Sequence, residues 1–133
     1  MGTNKPRVFT LKRFLKDAGK EGIKDDELCQ AIAELEEGKG ENLGGNVWKK
    51  RLKQNRSRSI VLTKPKDFWV FAYLFAKGDK DNLEADELAG FKNLSTNYGA
   101  AGLAGMEKLV AAKAAMEICN ECEDEESGNN KET

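Results

Sequence analysis

Between Val47 and Lys66 the chain carries eight basic residues, Lys49, Lys50, Arg51, Lys53, Arg56, Arg58, Lys64 and Lys66, and no acidic one. A local excess of this kind attracts polyanions whatever the net charge of the whole, and its bland alternative is a solvated charged face. The chain has no histidine. That removes Ser-His and Cys-His nucleophilic machinery and the two-histidine style of ribonuclease. Acid-base chemistry here must be done by Lys, Arg, Tyr or carboxylates.

The cysteines offer less. Cys29, Cys119 and Cys122 are odd in number and too few to staple a secreted scaffold, which agrees with a reducing compartment. Only Cys119-Asn-Glu-Cys122 has chelating spacing, and a structural zinc needs about four Cys or His ligands. The thiols are read as ordinary ones, with no metal and no cofactor expected. The glycine-rich stretch at 38–45 could cradle a phosphate, but it lacks the Walker spacing and its terminal Lys-Ser/Thr, so it is read as a connector.

The net charge of −1 conceals an asymmetry. Residues 1–66 hold 16 basic against 9 acidic side chains, and residues 67–133 hold 6 against 14. The acids of the second half concentrate at 121–133, a stretch with almost nothing apolar, which predicts a disordered tail. The remaining 1–120 is the length of one domain. No run approaches the roughly 18 apolar residues of a membrane span, and the first residues lack the apolar segment of a signal peptide, so a cytoplasmic protein is expected.

The elements that must position the basic residues follow from periodicity. Arg7-Val8-Phe9 is a short edge strand, after which Thr10 can cap a helix carrying Leu11, Phe14, Leu15 and Ala18. A second helix opens at Asp25, where Asp26 and Glu27 suit the positive end of the helix dipole, and carries Leu28, Ile32 and Leu35 towards Gly38. From Asn46 the period becomes two: Val47, Lys49 and Arg51 on one face, Trp48, Lys50 and Leu52 on the other. Ser57-Arg58-Ser59-Ile60-Val61-Leu62-Thr63 forms the next strand. After a turn at Pro65-Lys66-Asp67, Phe68 to Ala76 forms a third, with Trp69, Phe71, Tyr73 and Phe75 sharing a face in a core role. A helix begins near Leu83-Glu84-Ala85-Asp86, and the alanine-rich segment beyond Gly99 is also helical, although Met116-Glu117-Ile118-Cys119 suits a short strand equally well. The fold class is α+β: an N-terminal helix pair, an antiparallel meander of three to four strands, and C-terminal helices.

This order resembles the RelE/ParE superfamily of toxins from type II toxin-antitoxin systems, and within it the RelE-like bacterial branch. The resemblance rests on Arg7-Val8-Phe9 with Arg13-Phe14, on Asp26-Glu27-Leu28-Cys29-Gln30-Ala31-Ile32, on Gly45-Asn46-Val47-Trp48-Lys49-Lys50-Arg51-Leu52, and most specifically on Phe75-Ala76-Lys77-Gly78-Asp79-Lys80-Asp81-Asn82-Leu83. It implies a toxin neutralised by a cognate antitoxin, of helix-turn-helix type, and acting as a metal-independent, ribosome-dependent messenger RNA endoribonuclease. By the same resemblance Arg58, Lys77 and Lys50 are the catalytic candidates and Lys49 and Arg51 RNA-binding ones, to which the acid-free basic stretch adds Lys53 and Arg56; Arg58 and Lys77 are expected to face solvent. One departure is the shortened Gln54-Asn55-Arg56-Ser57 before Arg58, where the family has a longer glycine-rich loop and an aromatic. The alternative is a non-catalytic binding module, acting on a protein target or descended from an active toxin, since one scaffold supports both outcomes. The acid-free basic stretch favours RNA.

Overall fold

The computed structural model describes residues 6–52, 56–76, 78 and 83–119; the tail expected at 121–133 lies outside them, as do Lys53 and Lys77. In chain order the elements are β1 (Arg7–Leu11), α1 (Lys12–Glu21), α2 (Asp25–Glu36), β2 (Glu41–Gly44), β3 (Val47–Leu52), β4 (Ser57–Lys64), β5 (Phe68–Ala76), α3 (Ala85–Ala111) and β6 (Ala115–Ile118). No helix among the described residues is long and apolar enough to cross a membrane.

The six strands form one mixed sheet in the order β2-β3-β4-β5-β1-β6. β2 to β5 make an antiparallel meander, one strand longer than the basic stretch alone predicts. The extra strand, β2, comes from the glycine-rich 38–45 read as a plain connector. A register shift between Asn42 and Gly44, with Gly44 at φ +90°, lets the chain pair and still turn sharply into β3.

β1 is not an edge strand. It lies inside the sheet, parallel to β5 on one side and antiparallel to β6 on the other. Val8, Phe9 and Thr10 are all buried, so both faces of β1 are covered. The helix pair therefore follows a central strand and not an edge one. Thr10 is consequently not a helix cap: α1 is preceded by Leu11, and the Thr10 hydroxyl donates to the Met116 carbonyl at 3.2 Å. A threonine before an apolar run fits a cap and a strand equally, and the pairing with β6 decides between them.

Helices cover both faces. Phe14 and Ala18 of α1 with Leu28, Ala31, Ile32 and Leu35 of α2 pack on Val8, Leu52, Val61, Trp69, Phe71 and Ile118. On the other face α3, through Met106, Leu88, Phe91 and Leu94, covers Phe9, Val47, Ile60, Leu62 and Val70. α3 starts with a capping box between Glu84 and Glu87, and its path breaks at Gly102 (φ +69°), so two helical segments meet there. The alternative strand at the C-terminus is the one adopted, as β6.

Two further expectations change. A register shift at Ile60/Val61 inserts an extra residue in β5, so Trp69 and Phe71 face the helix pair while Tyr73 and Phe75 face α3. One added residue reverses every later side chain of a strand. The cysteines are not all ordinary thiols either: Cys29 of α2 is bonded to Cys119, just beyond β6, across 90 residues of sequence. Only the tertiary fold brings them together.

Candidate nucleic-acid interface

The alternation along β3 divides its three consecutive cations between the two faces. Lys49 and Arg51 follow Val47, which packs beneath α3; Lys50 follows Trp48 and precedes Leu52, which pack towards the helix pair. On that second face the Lys50 ammonium meets Glu34 of α2 at 2.6 Å. The bond from Lys50, together with one from Gln30, holds the Glu34 carboxyl below its ordinary value. Lys50 is thus a brace between sheet and helix, and the fold does not bring it to the face that holds Arg58.

On the α3 face the basic groups converge. Arg51 is directly opposite Arg58 in the β3–β4 ladder, and Lys49 is opposite Ile60, two residues back on the same face. Cβ atoms of directly opposed residues lie about 4.5–5.5 Å apart, and like charges so placed repel. Arg51 is exposed, whereas Arg58 is only 6% exposed. Arg58 thus departs from the solvent-facing role its position suggested, because Ile60, Leu62 and Phe75 continue the apolar layer up to it. Lys49 makes a 3.1 Å ion pair with Glu41 of β2. Arg56 is exposed in the turn that leads into β4, at the same end of the sheet.

β5 supplies an aromatic wall. Phe75 is opposite Arg58, and Tyr73 is opposite Ile60. The half-buried Tyr73 ring stacks on Phe91 of α3 with centroids 5.8 Å apart, and lies 5.6 Å from Phe75. Sequence reasoning missed the presence of this tyrosine beside the basic pair, because β5 has neither glycine nor proline to signal the extra residue that turns it there. Ala76, the last residue of β5, is opposite Ser57; Lys77 and Lys53 lie outside the described residues.

An opposed arginine pair, an adjacent lysine and a flanking aromatic can together hold the charged oxygens of a phosphodiester, with a surface for a neighbouring base. Among the described residues, no group of three or more Cys, Asp or Glu side chains converges in a way that would hold a metal ion.

A family model described as "RelE toxin of RelE / RelB toxin-antitoxin system" matches residues 6–118. No curated protein and no solved structure gives a match.

Proposed function

The chain belongs to the family of RelE toxins of RelE/RelB toxin-antitoxin systems, and on that premise we propose that its Lys49–Arg51–Arg58 face cleaves messenger RNA on the ribosome without a metal ion. The observation that carries this reading is the direct opposition of Arg51 and Arg58 on one sheet face. Two guanidiniums so placed can hold the oxygens of one anion between them, and a phosphodiester supplies such an anion.

Cleavage by the neighbouring 2′-hydroxyl requires three things: a proton removed from that hydroxyl, charge neutralised on the phosphorane, and a leaving 5′-oxygen stabilised. Arg58, held by its packed surroundings, is the fixed clamp on the phosphoryl oxygens. Arg51 is the exposed clamp that can follow the substrate. Lys49, and Lys77 beyond the end of β5, are the candidates for proton transfer and for the charge on the leaving oxygen. Arg56 and Lys53 would track the strand on either side. The partner is a RelB-type antitoxin, here proposed to be of helix-turn-helix type, and the site of action is the cytoplasm, where ribosomes translate.

The test is product chemistry. The purified chain is incubated with translating ribosomes and the message ends are mapped. Attack by the 2′-hydroxyl leaves a 2′,3′-cyclic phosphate and a free 5′-hydroxyl. Intact message together with growth arrest on induction would favour the alternative, a non-catalytic module acting on a protein target. The burial of Arg58 gives that alternative its footing, since a buried arginine can serve architecture alone.

A further inference from the structure

α2 is fastened to the sheet at two places by different chemistry. Towards its C-terminus, Glu34 holds Lys50 of β3, and Glu36 accepts a hydrogen bond from the Trp69 indole of β5. In its first half, Cys29 is bonded to Cys119, with the two Cα atoms 5.5 Å apart. Both cysteines are half-buried at the rim of the core beneath the helix pair. Neither cysteine is sealed inside that core.

The strand on the far side of this bond has modest holds of its own. β6 is four residues long and outermost in the sheet. It pairs with β1, buries Ala115 and Ile118, and accepts two 2.8 Å bonds from Arg7 at Glu117. Met116, on the same strand, is 51% exposed. Short outer strands with few buried contacts open locally at small cost, so a covalent anchor one residue beyond Ile118 governs how often this one opens.

We propose that Cys29–Cys119 is a thiol–disulfide exchange site, opened by low-molecular-weight monothiols and closed by their disulfides, and that its state sets how firmly β6 and the first half of α2 are held. In the opening direction a reductant thiolate attacks one Sγ and breaks the S–S bond. This leaves a mixed disulfide on that cysteine and a thiolate on the other, which takes up a proton. A second reductant thiolate then attacks the mixed disulfide, releases the low-molecular-weight disulfide, and frees the second cysteine, which is protonated in turn. Two electrons and two protons pass to the protein while two thiols become one disulfide. Closing is the reverse.

The experiment compares the full chain in reduced glutathione and in glutathione disulfide, by peptide mapping without reductant and by hydrogen exchange. In the oxidised sample the peptides containing Cys29 and Cys119 should be linked. On reduction the chain gains the mass of two hydrogens, and the amides at 115–119 should exchange at least about tenfold faster while those of β4 do not change. Cys29→Ser should match the reduced parent in both buffers, and Cys122→Ser should still switch. The reduced parent gives the same information without any substitution, so a Cys29→Ser chain that fails to fold does not spoil the test. A link made through Cys122, or identical exchange at 115–119 in the two buffers, overturns the proposal.

Discussion

The two faces of β3 carry the same kind of residue to different ends. Lys50 on the helix-pair face meets Glu34 at 2.6 Å, while Arg51, the next residue, points to the α3 face opposite Arg58. Composition and local charge are the same for both. The difference comes from the two-residue period of a strand and from what lies above each face: a helix bearing a carboxylate on one side, a second arginine on the other. A basic run in a strand is thus two half-populations: Lys50 is held by a helix carboxylate, while on the other face Lys49 meets Glu41 of the neighbouring strand and Arg51 is exposed. The eight cations between Val47 and Lys66 therefore do not form a single surface.

The largest effect should come from breaking the arginine pair. Removing one donor aimed at a developing oxyanion costs about 10²-fold to 10³-fold in rate. Arg51→Ala should lower cleavage of ribosome-bound message by that order and leave the melting temperature unchanged, because Arg51 is exposed. Arg58→Ala should lower cleavage as far and also reduce stability, because Arg58 is buried. Arg58→Lys keeps the charge but loses the two-pronged geometry, and should recover stability better than rate. Cleavage assays beside thermal melts separate these outcomes. Full activity in Arg51→Ala would remove the pair from the chemistry.

The opposite face should answer in stability. Lys50→Met should leave cleavage within about twofold of the parent, a difference too small for a lost transition-state contact, and should lower the melting temperature by a few degrees. The pH dependence has a definite sign. The Glu34 carboxyl is held low in the folded chain, chiefly by its bond from Lys50, so the parent's advantage over Lys50→Met is fully present above the ordinary carboxylate value of about 4.3. It fades as the pH falls through the lowered folded value. Melting curves of both proteins from neutral to acid pH check this, and parallel curves throughout would mean that the bridge adds nothing.

Much of this division was legible in the sequence. The change to a two-residue period at Asn46 placed Lys49 and Arg51 on one face and Lys50 on the other, and the acids Asp25, Asp26 and Glu27 marked the start of α2. What stayed hidden was long-range. Nothing in Arg7-Val8-Phe9 says that it lies parallel to β5, because a short apolar run looks the same at an edge and in the middle of a sheet. The extra residue in β5 has no glycine or proline to announce it, so strict alternation puts Tyr73 on the face of Trp69 and Phe71 while the fold puts it on the opposite one. That Lys50 meets Glu34 and that Arg58 is buried beside Phe75 are facts about neighbours that only the tertiary fold supplies.

The smallest effect is also the most direct reading of which cations touch RNA. Each phosphate neutralised on a single strand contributes a slope of about −0.7 to the dependence of log affinity on log salt, because binding releases condensed counterions. A 2′-O-methyl RNA cannot be cut by its own 2′-oxygen, so its binding can be measured at equilibrium across a salt series. If Arg51 and the exposed turn residue Arg56 each neutralise one phosphate, Arg51→Ala and Arg56→Ala should each flatten the slope by about 0.7. Lys49→Ala should do so by less, since its ammonium is already 3.1 Å from Glu41. Lys50→Ala should leave the slope unchanged, because its charge is engaged by Glu34 in the free and the bound protein alike. Equal flattening by Lys50→Ala and Arg51→Ala would show that the strand's two faces are not electrostatically distinct to RNA, and the division drawn along β3 would fail.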